Sequence, residues 1–196
     1  FDCDVLIVNI PPRKKEDDSI AYIDQVKHIS SLARNQVIFI SSTGIYEDGN
    51  FVVDENTVPE PSSETGKSLL AAETLLQENN TFETTIIRFG GLIGPNRNLA
   101  KHFAGKTGIS NGLAPINLIH LYDCIGLTKA ILEKNAFGKI YHGVAPSHPT
   151  RSQFYTQACI DSGFEKPEFK QELLEWKQIE SRAIPALLRY KWEVLF

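Results

Sequence analysis

Methionine is missing from all 196 residues, the first included. A chain without an initiator reads as part of a longer protein. Cysteine is scarce: Cys3, Cys124 and Cys159 are odd in number, scattered and without a C-x-x-C pair. That spacing argues against a disulfide framework or a zinc site, and for reduced thiols in a cytoplasmic protein. No apolar run approaches the ~20 residues that cross a bilayer, and no segment reads as a signal peptide. Surplus positive charge is lacking too. Twenty Lys and Arg stand against 24 Asp and Glu, a net charge of −4. The balance makes no electrostatic case for a nucleic-acid or membrane partner. There is no internal repeat, no Gly-x-Ser-x-Gly elbow, no glycine-rich phosphate loop and no metal-ligand spacing.

What remains is ordinary. Hydrophobic residues make up 42% and charged residues 22%, the composition of a globular protein of one domain or one and a half. Residues 4–10 are a β-branched run closed by Pro11, Pro12 and a charged cluster over 13–18. A run apolar on both faces predicts a buried parallel strand. Ser19 is positioned to cap a helix over 20–34, where Ile20, Ile23, Val26, Ile29 and Leu32 share a stripe. A second strand follows over 36–41. Residues 43–63 read as loop, 65–77 as a helix and 84–89 as a third strand. Beyond the glycines at 90, 91 and 94 the elements shorten. The pattern there predicts a helical turn near 99–103, a strand over 116–120 and a helix over 122–134. A strand over 139–144 and a helix over 150–162, capped by Thr150, come next. The tail from 167 mixes short strands with a helix near 183–188. Strands alternating with helices predict an α/β fold, a doubly wound parallel sheet. The regular alternation ends near residue 90, which divides the chain into 1–90 and 91–196.

In such sheets ligands bind beyond the carboxyl ends of the strands. Three segments lie there: Asn9-Ile10-Pro11-Pro12, Ser41-Ser42-Thr43-Gly44-Ile45-Tyr46 and Arg88-Phe89-Gly90-Gly91. Hydroxyls at a strand end can bond a substrate oxygen or a ribose, or simply their own backbone. The glycines can admit a ligand or make a wide turn. Arg88 suits a phosphate, though arginine at a strand end more often pairs with a carboxylate. His120 and Asp123 have acid–base spacing, but Asp123 is better placed to cap the helix after it.

Together these segments resemble the extended short-chain dehydrogenase/reductase superfamily, the NAD(P)-dependent epimerase/dehydratase group. The match extends through Gly66-Lys67-Ser68-Leu69-Leu70-Ala71-Ala72-Glu73, Leu92-Ile93-Gly94-Pro95 and Asn117-Leu118-Ile119-His120-Leu121-Tyr122-Asp123. The resemblance implies a Rossmann-like fold of which 1–90 is the second half. Residues 91–196 would be a smaller substrate region interleaved with the last Rossmann elements. Strands 1–3 of the family, with the glycine-rich turn that seats the pyrophosphate, would precede residue 1. NAD or NADP is implied only with that half present. Asn9, Ile10, Pro11, Pro12, Ser41, Phe89, Gly90 and Gly91 correspond to cofactor contacts, and Thr43, Tyr46 and His120 to substrate contacts. Ser42 matches the catalytic Ser/Thr. The catalytic Tyr-x-x-x-Lys does not align: Thr65 and Leu69 stand in its places, and a threonine has no accessible pKa for that work. Ser42, Thr65 and Lys67 are then the catalytic candidates. The nearest likeness is to an atypical bacterial branch without the tyrosine–lysine pair. It implies an oxidoreductase, epimerase or dehydratase acting on a small hydroxy or carbonyl compound, nucleotide sugars included. The alternative is a non-catalytic dinucleotide sensor or interaction module. Pairing as a homodimer through the helices at 20–34 and 65–77 is a further implication by analogy.

Overall fold

The structure, a computed structural model, describes residues 3–12, 19–33, 35–95 and 97–196. The charged cluster at 13–18 and the expected helix end at Arg34 lie outside the described residues. Four parallel strands form the central sheet: β1 (Val5–Val8), β2 (Gln36–Ser42), β4 (Glu83–Phe89) and β7 (Ile140–Gly143), in the order β1-β2-β4-β7. Two small parallel pairs flank it, β3 (Phe51–Val53) with β8 (Lys177–Ile179) and β5 (Gly91–Ile93) with β6 (Leu118–His120). The helices are α1 (Ser19–Ser30), α2 (Glu64–Gln77), α3 (Leu121–Glu133) and α4 (Arg151–Asp161).

Alternation along the strands explains the two-sided packing. Val37 and Phe39 of β2 face α1 and α2, where Val26, Leu69, Ala72 and Leu76 complete one core. Ile38 of β2 and Ile87 of β4 point the other way. There they join Leu127 and Ile131 of α3 and the π-helical turn Ile184–Leu188 in a second core. Helices on both faces of a parallel sheet make the fold doubly wound.

Several expectations need correction. α1 begins at Ser19 and ends at Ser30, short of the expected 34, and the capping role expected of the Ser19 side chain lies outside what is described. β1 pairs in parallel with β2 as expected, but among the described residues it has no second hydrogen-bonded neighbour, and Ile7 is 46% exposed. The segment 43–63, read as loop, contains β3. Asp123 does not cap α3; the His120 imidazole does, its Nδ1 accepting from the Tyr122 amide at 3.2 Å. Asp123 is buried and takes three bonds from the tail: the Tyr190 hydroxyl at 3.0 Å and the amides of Glu193 and Val194 at 2.8 and 3.1 Å. By contrast α4 starts where Thr150 predicts it, with a capping box shared between Thr150 and Gln153.

Candidate functional site

A cavity of about 400 Å³ opens at the carboxyl ends of β1 and β2. Asn9, Ile10, Pro11 and Pro12 form one wall, Ser41, Ser42 and Gly44 the floor, and Ser63, Thr65 and Gly66 the first turn of α2. Leu69 and Leu92 close the apolar side. The strand–turn–helix order builds it. β2 ends at Ser42, whose hydroxyl accepts from the Gly44 amide at 3.1 Å and caps the short turn Thr43–Ile45. Ser63 caps α2 in the same way, accepting from the Gly66 amide at 3.1 Å. Each cap oxygen is used as an acceptor, which leaves its own proton free to donate.

Ser41 differs from both. Ser41 lines the cavity, but its Oγ is turned away from open space and has no hydrogen-bond partner among the described residues. A buried hydroxyl left unpaired costs ~1–3 kcal/mol, and this one would have to turn to meet a ligand in the cavity. The described lining contains no ionisable side chain. It offers hydroxyls, one carboxamide and apolar surface, a setting for a neutral polar group.

The structure thus brings together Asn9, Ile10, Pro11, Pro12, Ser41, Ser42 and Thr65. The other expected site residues lie elsewhere. Lys67 is exposed, is not in the cavity lining, and pairs with Glu64 on its own helix at 2.7 Å. Thr43 is buried and donates to the Phe89 carbonyl at 3.4 Å. Phe89 is in the second core and lines a separate cavity with Ile7, Asn9 and Cys124. The close approach permitted by Gly90 is to the chain itself: a Cβ there would stand 2.6 Å from the Asn117 carbonyl oxygen. Gly91 is exposed, and its amide donates to that same oxygen at 2.8 Å. His120, besides capping α3, faces another cavity beside Arg97 and Phe154.

Tyr46 is not a cavity residue either. It is 2% exposed, and burial pushes its phenol up to about 12. The hydroxyl meets Arg88 and His142. Arg88 binds the carboxylate of Glu73 through Nη2 at 2.6 Å and through Nε at 3.2 Å, with both side chains buried. This network was missed in the sequence; its one legible trace was the tendency of Arg88 to seek a carboxylate. Burial holds the His142 imidazole below its ordinary value, and the Arg88 charge acts in the same direction. Glu55 also belongs here. Its carboxyl titrates low because bonds from the Ser181 hydroxyl and the Arg182 amide outweigh its burial.

Among the described residues no group of three or more His, Cys, Asp or Glu could hold a metal ion. No described helix is long and apolar enough to cross a membrane.

The fold is the Rossmann-like α/β fold seen in solved UDP-sugar 4-epimerases. Among curated proteins the chain is similar to protein YeeZ of Escherichia coli K12, 35% identical over 177 residues, 88% of this chain and 64% of that protein. The chain therefore spans just under two thirds of the length of that relative. Among solved structures it is similar to UDP-glucuronic acid 4-epimerase from Bacillus cereus in complex with NAD. The TM-score is 0.81 at 20% identity, over 99% of this chain and 69% of that one. A functionally unknown conserved protein from Silicibacter pomeroyi DSS superposes with a TM-score of 0.76 at 21% identity, over 97% of this chain and 73% of that one. At these identities the likeness to solved structures is one of fold. No protein-family model matches.

Proposed function

We propose that the chain is the larger part of an NAD(P)-dependent oxidoreductase- or epimerase-like protein of the branch without the tyrosine–lysine pair. In this reading residues 1–90 are the second half of the cofactor domain and 91–196 the substrate region interleaved with it. The observation that carries it is the cavity at the carboxyl ends of β1 and β2, lined by Asn9, Ser41, Ser42 and Thr65. Ser41, Ser42, Thr65 and Asn9 would hold the nicotinamide end of the cofactor against Ile10, Pro11 and Pro12. The bound group would supply hydride transfer. The residues themselves would donate hydrogen bonds, orient the ring and exclude water. A small hydroxy or carbonyl compound, a nucleotide sugar among the candidates, would meet Ser42. The pyrophosphate would need the glycine-rich turn of a preceding half. Similarity to UDP-sugar epimerases in complex with NAD supports the cofactor class.

The absence of an ionisable side chain from the described lining favours a second reading, a dinucleotide-binding sensor that does no chemistry. Fluorescence titration with NADH and NADPH, on protein expressed from its complete gene, tests both. Saturable binding that weakens about tenfold in Ser42→Ala, the loss of one buried hydrogen bond, supports the cavity assignment. Absence of saturable binding by either cofactor sinks both readings. Turnover across a panel of nucleotide sugars and hydroxy compounds then selects the first, and binding without turnover the second.

A further inference from the structure

The two ends of the Thr43–Ile45 turn lie in different surroundings. Its N-cap, Ser42, lines the cavity, and its C-cap, Tyr46, sits in the buried network. Chemistry fixes the direction of every bond there. A guanidinium can only donate, so Arg88 Nη1 donates to Tyr46 Oη. A carbonyl can only accept, so His142 Nδ1 donates to the Glu180 carbonyl at 2.9 Å. The neutral imidazole then carries no proton on Nε2, which accepts from the Tyr46 hydroxyl at 2.9 Å. The relay runs from Arg88 through Tyr46 and His142 to the main chain of the tail. It also closes on the cavity: Arg88 is held by Glu73 of α2, and Gly66 of the same helix abuts the Gly44 carbonyl inside the turn.

We propose that Tyr46 is a positioning residue, whose hydroxyl holds the Thr43–Ile45 turn and so the Ser41 and Ser42 hydroxyls, and that this hold requires His142 to be neutral. The proposal rests on the cavity reading above but is measured without a ligand. Protonation would place a second donor, His142 Nε2–H, against a phenol oxygen already occupied by Arg88. The Tyr46 proton would lose its acceptor, and two cations would share one oxygen. The charged and titratable groups facing His142 are Tyr46 after β2, Arg88 on β4, and Asp54 and Glu55 after β3, while Glu180 after β8 presents its main-chain carbonyl. Asp54 and Glu55 favour the imidazolium. Burial and Arg88 oppose it and prevail.

Amide hydrogen exchange, corrected for intrinsic rates, decides the matter in a peptide covering residues 42–46. At pH 8, Tyr46→Phe should lower protection there about tenfold, the effect of one hydrogen bond, while Glu83–Phe89 stays protected. In the wild type, protection of the turn should fall toward that of the variant as pH drops from 8 to 5. In Tyr46→Phe and in His142→Gln, which cannot protonate, it should not fall further. If the His142 variant does not fold, the wild type against Tyr46→Phe decides alone. Loss spread evenly over the sheet in Tyr46→Phe would mean a packing role only and overturn the proposal. A wild-type turn whose protection is flat with pH would overturn it equally. Since no cofactor is present, a failed NADH titration and a failed relay are separate results.

Discussion

Gly66 lies so close to Gly44 that a methyl group on it would stand 2.9 Å from the Gly44 carbonyl oxygen. The same methyl would meet Pro61 Cβ at 2.8 Å and the Ser63 hydroxyl at 3.1 Å. The contact locks the first turn of α2 against the turn after β2 and so sets the width of the cavity between them. Gly66→Ala gains ~1 kcal/mol of helix propensity. The clash with backbone it introduces costs ~1–3 kcal/mol, and the clash wins because a main-chain oxygen cannot swing aside. The expected result is a lower urea midpoint with an unchanged slope, together with weakened NADH binding. A variant more stable than the wild type would refute the contact.

Glu73 and Arg88 form a buried ion pair, with side chains 1% and 4% exposed. Removing one partner strands a buried charge, at ~3–5 kcal/mol. Glu73→Leu and Arg88→Met should therefore each unfold at markedly lower denaturant. The double variant Glu73→Leu/Arg88→Met should be less destabilised than the two losses added, because neither charge is left alone. Additive losses in a denaturation cycle would show the pair to be uncoupled.

Much of this fold could be read locally. α4 announces its cap, Thr150, ahead of a helical stretch, α2 is a helical stretch closed off by the prolines before it, and β4 is a run of apolar and β-branched residues. Those signals span a few residues and need no partner. β3 and β8 were not legible as a pair: each is three residues long, and what makes them strands is each other. The cavity was legible in part, because Asn9 to Pro12, Ser41 and Ser42 all follow strands and a parallel sheet gathers strand ends. Lys67 and Tyr46 were misplaced for a common reason. Sequence spacing gives the position of a residue along its element, but the side it faces depends on neighbours. Arg88 reached Tyr46 from β4, and Glu64 lay one turn from Lys67.

Asp123 fastens the tail. With the carboxylate replaced by a methyl in Asp123→Ala, the Tyr190 hydroxyl and two backbone amides lose their acceptor together. Each unsatisfied buried donor costs ~1–3 kcal/mol, but the tail can peel away and bond water instead. The loss should thus show first as local opening. Limited proteolysis should cut within residues 190–196 before the sheet is attacked, and that tail should exchange its amides freely. Unchanged protection of Glu193 and Val194 would remove Asp123 from this role.

Two groups in the network titrate in separate windows. The folded value of His142 lies below its ordinary 6.5, so the unfolded chain binds the proton more readily. Stability is then full above pH 6.5 and falls as pH drops below it toward the folded value. Glu55 is lowered from 4.5, so its contribution is present above pH 4.5 and lost only below that. Urea midpoints from pH 8 to 5 should decline in the wild type, with a shallower decline in His142→Gln. Equal slopes in the two proteins would show that His142 does not contribute.

The Ser41 hydroxyl is buried with no partner among the described residues, in a residue 5% exposed. A group that only served the fold would have been satisfied or replaced, since an unpaired buried hydroxyl is a net cost. Ser41→Ala should therefore leave the protein as stable or make it more stable by up to ~1 kcal/mol, against the usual direction of a core substitution. Under the proposed function the same change should weaken NADH binding, the hydroxyl turning to meet the bound group. Stability and affinity moving in opposite directions is the signature of a residue kept for its ligand. If instead Ser41→Ala destabilises the fold and leaves binding untouched, the hydroxyl belongs to the sheet, and the cavity loses the feature that most marks it as a site.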